Sequence, residues 1–192
     1  MKRPVPNVSR EIELACCAGL LALLSVGRPA AAQSTSFLLA PGRAGALEIG
    51  LPVDSVLRVF GRDRVRLVDL QLEGHFTPAI ELVLVDSRAT PALVAPIREV
   101  PCGEFALYGM SVYDPRFRTR EGVGVGSTIG ELRRAYDVRL NREEGHSVVV
   151  PALSMTFEIN GTRFADSVRV TSVWVWSDPN EVRARRCPRA GR

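Results

Sequence analysis

Gly50-Leu51-Pro52-Val53-Asp54-Ser55-Val56-Leu57-Arg58-Val59-Phe60 has an altered counterpart in Gly126-Ser127-Thr128-Ile129-Gly130-Glu131-Leu132-Arg133-Arg134-Ala135-Tyr136. Each stretch follows a short apolar segment, Ala46 to Ile49 or Val123 to Val125, turns on a glycine, opens a helix and ends on an aromatic. Self-similarity of this kind sets the architecture, and here it predicts an internal duplication. The rival explanation is that capping rules alone make two helix starts after glycine look alike. Pro52 suits the first turn of the first helix. Thr128-Ile129-Gly130-Glu131 is a capping box, in which the threonine oxygen and the carboxylate satisfy amides the helix leaves unpaired. Gly130 weakens that second helix.

Outward from the helices the chain reads as strands. Val65 to Leu72 and Ala79 to Val85 flank a turn at Glu73-Gly74-His75, with an imperfect alternation that leaves apolar residues on both faces. Ala92 to Val100 and Phe105 to Tyr113 form a second pair, joined by Pro101-Cys102-Gly103-Glu104. Leu153, Met155, Phe157 and Ile159 alternate with smaller or polar residues before Asn160-Gly161, a strong two-residue hairpin signal. Asn160-Gly161-Thr162 is also a glycosylation sequon, which the turn explains without a modification. Val168, Val170, Trp174 and Trp176 then fall on one strand face, with Val173 and Val175 opposite. A further echo places Glu73-Gly74-His75 before Pro78 and Glu144-Gly145-His146 before Pro151. The expected fold class is α+β, with tandem duplicated helix-on-antiparallel-sheet units at 33–114 and 115–192. The second unit carries a basic C-terminal tail, and the boundary falls near Asp114-Pro115-Arg116-Phe117-Arg118-Thr119.

Residues 1–32 read as a signal peptide. Lys2, Arg3 and Arg10 precede an apolar run from Leu14 to Val26 that closes at Ala30-Ala31-Ala32, although Glu11 and Glu13 count against the pattern. The run is shorter than the roughly 20 residues a membrane span needs, so a retained anchor is the weaker reading. The expected location is exported, periplasmic or extracellular, with no stable membrane span after cleavage. Cys16 and Cys17 sit at the start of the apolar run, the wrong place for lipid attachment. Cys102 and Cys187 survive processing and are expected to form a disulfide. Closing so long a loop stabilises by up to roughly 4 kcal/mol.

Charge and motifs exclude several classes. The formal net charge is +4 and Lys2 is the only lysine, but the arginines are interspersed with acids, as in Arg62-Asp63-Arg64 and Arg142-Glu143-Glu144. A nucleic-acid surface needs a basic stripe, so no nucleic-acid partner is expected. The run Arg183, Arg185, Arg186, Arg189 and Arg192 reads as a solvated terminus. Gly122-Val123-Gly124-Val125-Gly126-Ser127-Thr128 lacks both the lysine of a phosphate loop and the spacing of a dinucleotide fingerprint. Ser127 and Ser172 stand in no nucleophile elbow. His75 and His146 each sit in a Glu-Gly-His turn, outside any metal-ligand spacing. Glu73 with Glu81, and Glu143 with Glu144, read as surface charge. No catalytic residue, cofactor or metal is expected.

Binding is the remaining chemistry. Trp174 and Trp176, about 7 Å apart on one strand face, form either an aromatic platform or part of the core. Phe117 between Arg116 and Arg118 suits an exposed binding edge. These five residues are the candidate binding surface.

Gly126-Ser127-Thr128-x-x-Glu131-Leu132-x-x-x-Tyr136 resembles the helix-opening motif of the β-lactamase inhibitory protein superfamily, and of the small lipoprotein of the outer-membrane β-barrel assembly machinery. Gly50-Leu51-Pro52-x-x-Ser55-Val56-x-x-x-Phe60-Gly61 is a looser version. The resemblance covers roughly Ala46 to Trp176. It implies a helical segment on an antiparallel sheet and, for the inhibitor, a tandem pair whose concave sheet grips a partner protein. Asp137 stands where the motif has glycine, a lipid-attachment cysteine is lacking, and no partner-binding residue carries across. The expected function is non-catalytic, a protein-binding or inhibitor-like module acting on another protein of the cell envelope or outside the cell. An envelope structural or assembly factor, and a secreted hydrolase with an unrecognised site, are the rivals.

Overall fold

The computed structural model describes residues 37–177 except 73, 85–89, 101–102, 142–145 and 162. The expected signal peptide, Cys102, Cys187 and the basic tail lie outside the described residues. Within them the chain is mostly β. Strands β1 (Leu39–Ala40), β2 (Arg43–Ala44) and β3 (Leu47–Glu48) make a small antiparallel sheet. Helix α1 (Val53–Phe60) follows, then β4 (Val65–Leu72), β5 (His75–Leu82), β6 (Leu93–Glu99), β7 (Phe105–Leu107) and β8 (Met110–Val112). After helix α2 (Ile129–Ala135) come β9 (Arg139–Asn141), β10 (Ser147–Val150), β11 (Met155–Ile159) and β12 (Val170–Val175). The nine strands from β4 onward form one antiparallel sheet in the order β4-β5-β6-β8-β12-β11-β10-β9, with β7 also paired to β6.

This arrangement corrects the expected α+β class with tandem helix-on-sheet units. The two helices have only eight and seven residues, and strands dominate the described chain. One sheet runs through both halves, because β8 pairs directly with β12. Register explains how it is held together. Val65, Leu82, Leu93, Val112, Val173, Phe157, Val148 and Leu140 stand opposite one another in a row across eight strands. Two residues along, Met110, Val175, Met155 and Val150 form a second row on the same face, as the two-residue strand period requires. Val56 of α1, Ile129 and Leu132 of α2, and Leu39, Ala44 and Leu47 of the small sheet join these rows in one buried cluster. Each such large aliphatic side chain contributes roughly 1.5–3 kcal/mol on burial.

Local chemistry sets the helix ends. The Thr128 side chain accepts from the Glu131 amide at 3.2 Å, while the Glu131 carboxylate accepts from the Thr128 amide at 2.7 Å, completing the capping box. Pro52 is the N-cap of α1, in extended conformation, one position earlier than the first helical turn. Gly130 has a packing reason. Its amide donates to the Asp166 carbonyl at 3.0 Å, and an added Cβ would come within 3.1 Å of Asp166 Cβ.

Three local expectations are corrected. The strand from Phe105 to Tyr113 is broken at Tyr108 and Gly109 into β7 and β8, both paired with β6. Asn160-Gly161 does not close a two-residue hairpin, since β11 ends at Ile159 and β12 starts at Val170. A bulge between Glu158 and Ile159 shifts the register there, which puts Val170 opposite Ile159 and buries it with Val173 and Val175 rather than beside Trp174. The segment from Asp114 to Thr119 is not a loose connection. Arg118 exchanges backbone bonds with Phe37 and Leu39, and the Thr119 amide donates to the Val123 carbonyl at 2.8 Å.

Candidate binding surface

Two of the sequence-derived residues occupy the second face of the large sheet, away from the buried rows. Trp174 stands in register with Ser111 of β8 and Thr156 of β11. Its indole lies so close over Gly109 that a Cβ there would come within 2.2 Å of the ring. Trp176 follows, its amide donating to the Ser154 carbonyl at 3.0 Å. Both rings are half-buried, so neither side of the platform-or-core alternative describes them fully.

Phe117 is corrected outright. It is only 3% exposed and packs edge-to-face on Phe37, with ring centroids 5.1 Å apart and planes at 78°. Arg116 covers the Phe37 ring at 5.1 Å and binds Asp114 at 2.8 Å. Arg118 donates to the Pro115 carbonyl at 2.8 Å and to Ser127 Oγ at 2.9 Å. The arginines therefore stitch the segment into the fold, and the aromatic between them is core. The structure does not bring this cluster and the tryptophans together as one surface.

An apolar opening lies elsewhere. A groove of about 690 Å³ runs between the start of α1 and the β4–β5 hairpin, with Leu67, Pro78, Ile97 and Phe105 among its apolar walls. Leu67 is 68% exposed and Phe105 47%, while Phe76, nearby on β5, is 75% exposed. Leu67 and Phe105 both line the groove, so their exposed apolar surface is shared rather than scattered. Asp54, Asp69 and Glu104 also line the groove, against a single cation among the described residues, Arg58, which donates to Ser55 Oγ at 2.8 Å. Sequence reasoning missed this site. Its one signal was the doubled apolar character of the β4 and β5 segments.

A second, polar depression is lined by Arg118, Glu121, Ser127, Arg134 and Arg169. Apart from Arg134, these groups are committed internally. Ser127 Oγ accepts from Arg118 and from the Gly124 amide, Arg169 donates to the Gly126 carbonyl, and Tyr136 donates to Glu121. Burial, together with the Glu121 contact, pushes the Tyr136 phenol up to about 12. His75 and His146 are both exposed, and among the described residues no hydrogen bond or ion pair joins either side chain to a carboxylate. Among the described residues no cluster of metal-ligating side chains occurs, and no helix is long and apolar enough to cross a membrane.

Three carboxylates tie this region's stability to pH, one of them Glu121, which the Tyr136 hydroxyl holds below its ordinary 4.5. The side-chain bond from Arg116 holds Asp114 below its ordinary 3.8, and the Thr128 amide holds Glu131 below its ordinary 4.5. A depressed folded-state value stabilises above the unfolded value and loses that contribution as pH falls through the folded one. The urea midpoint is therefore expected to drop below about pH 4.5 and continue falling through the acid range. Glu131→Gln, which keeps the capping geometry without the charge, flattens part of that decline. An unchanged acid limb in that variant would remove Glu131 from the account.

No family model and no curated relative matches the chain. Among solved structures it is similar to the uncharacterized protein yfeY from Escherichia coli, with a TM-score of 0.47 and 12% identity. That likeness covers 75% of this chain and 99% of the other, and at this level carries no argument about function.

Proposed function

We propose that this chain is a non-catalytic protein-binding module of the cell envelope that engages its partner at the α1/β4–β5 groove. The observation that carries the reading is that exposed Leu67 and Phe105 both line one groove, with exposed Phe76 two residues along β5 from groove-lining Pro78. Buried apolar and aromatic anchors dominate association energies, so side chains left this open are the natural contact points. Export after removal of residues 1–32 and a Cys102–Cys187 bond belong to the same proposal.

The test is capture from an envelope extract by the purified protein and by Leu67→Asp and Phe76→Asp variants. Both positions are exposed, so thermal unfolding stays within about 0.5 kcal/mol of the parent, while capture falls at least about tenfold, as loss of an interface anchor requires. Full capture by both variants would remove the groove from the account. Loss only on Trp174→Ala would move the contact to the second face of the sheet.

A further inference from the structure

We infer that the occupant of the groove is an extended, basic and apolar segment of another protein, added as a strand along the outer edge of β4. This rests on the groove being the partner site. β4 is the end strand of the large sheet and pairs only with β5 among the described residues. The Val83 amide donates to the Arg64 carbonyl, whereas the carbonyl of Leu82, the partner of Val65, accepts from Ala92 on the β6 side. Antiparallel pairs alternate between bonded and non-bonded. The N–H and C=O groups of Val65, Leu67, Asp69 and Gln71 therefore point outward, away from β5.

The same four residues send their side chains to the face that carries the groove, because Val65 and Leu67 share the parity of the buried row. A strand docking on these backbone groups places its own alternate side chains beside Leu67 and Asp69 on the groove-bearing face. An eight-residue edge bearing an exposed leucine is the type of strand that folded proteins keep covered or pair with another chain. Strand addition of this kind draws affinity from main-chain bonds and specificity from the alternate side chains. Charge selects the occupant. Asp54, Asp69 and Glu104 line the groove with no ion pair among the described residues, so a segment interspersing arginine or lysine with apolar residues on that face is complementary.

The test uses a nine-residue synthetic peptide with threonine at odd positions and leucine and arginine alternating at even ones. Two controls replace arginine by glutamate or N-methylate the leucines. The arginine peptide is expected to slow hydrogen exchange at the Leu67, Asp69 and Gln71 amides of the full chain, and each control to bind at least about tenfold more weakly. Asp69→Asn with Glu104→Gln should erase the preference for arginine over glutamate. Equal binding of the glutamate peptide, or binding without protection of these three amides, would overturn the inference while leaving Leu67-dependent capture intact. Unchanged capture by Leu67→Asp would instead sink the site itself. Protection already present without peptide also overturns it. If concentration-dependent, the occupant is a second copy. If concentration-independent and abolished by replacing Arg183, Arg185, Arg186, Arg189 and Arg192 with serine, it is the chain's own C-terminal segment.

Discussion

Phe117→Ala is expected to destabilise the fold by about 3–5 kcal/mol, the range for removing a buried aromatic. The ring is 3% exposed, meets Phe37 edge-to-face and lies on a segment held by backbone bonds to residues 37 and 39. Its loss opens a cavity where the beginning of the described chain docks against the strand-to-helix connection. Phe76→Ala removes a ring of the same size from a site 75% exposed and is expected to cost no more than about 0.5 kcal/mol. Urea denaturation of the two variants checks the contrast. Equal effects would mean that the two rings share one environment, contrary to the packing described.

Gly109→Ala carries the second large effect, for a steric reason. Gly109 has no positive φ to protect, so the backbone accepts alanine, but the new methyl would overlap the Trp174 indole at 2.2 Å. Overpacking of this kind costs about 1–3 kcal/mol. The indole must leave its place over Gly109, which should shift tryptophan emission to longer wavelength. In a Trp174→Ala background the same substitution loses most of its cost, giving a coupling of about 1 kcal/mol or more in the double-mutant cycle. Additive single effects would mean that the two residues do not touch.

Much of the fold was legible where one local signal fixed one local geometry. The threonine and glutamate of the capping box had a single arrangement that satisfied both amides, and α2 starts there. The expected turn glycine Gly74, at φ 81°, lies between β4 and β5, although β5 begins at His75 and ends at Leu82 rather than running from Ala79 to Val85. What failed was the inference from two similar helix starts to an α+β class. Capping chemistry constrains a helix's first turn and is silent on its length, and these helices run barely two turns. The bulge at Glu158 and Ile159 was equally invisible, because a one-residue shift changes no residue type yet moves Val170 to the opposite face from Trp174.

The site was harder to read than the fold. Phe117 between two arginines looked exposed because sequence shows neighbours along the chain, whereas its environment is made by Phe37, some eighty residues earlier. Leu67 drew no attention within the expected strand Val65 to Leu72, and Phe76 fell outside the expected strand Ala79 to Val85, although β5 begins at His75. Exposure at a sheet end depends on which strand lies outermost, and that is a property of topology. Only the imperfect alternation of β4 and β5 hinted that one face there had been left uncovered.

The most direct test of the central claim is hydrogen–deuterium exchange on the chain bound to its captured partner. The groove account predicts slowed exchange along β4 and β5 and around Phe105, with the amides of Ser111, Thr156 and Trp174 unchanged. Protection confined to those three second-face residues, with β4 exchanging as in the free chain, would contradict it.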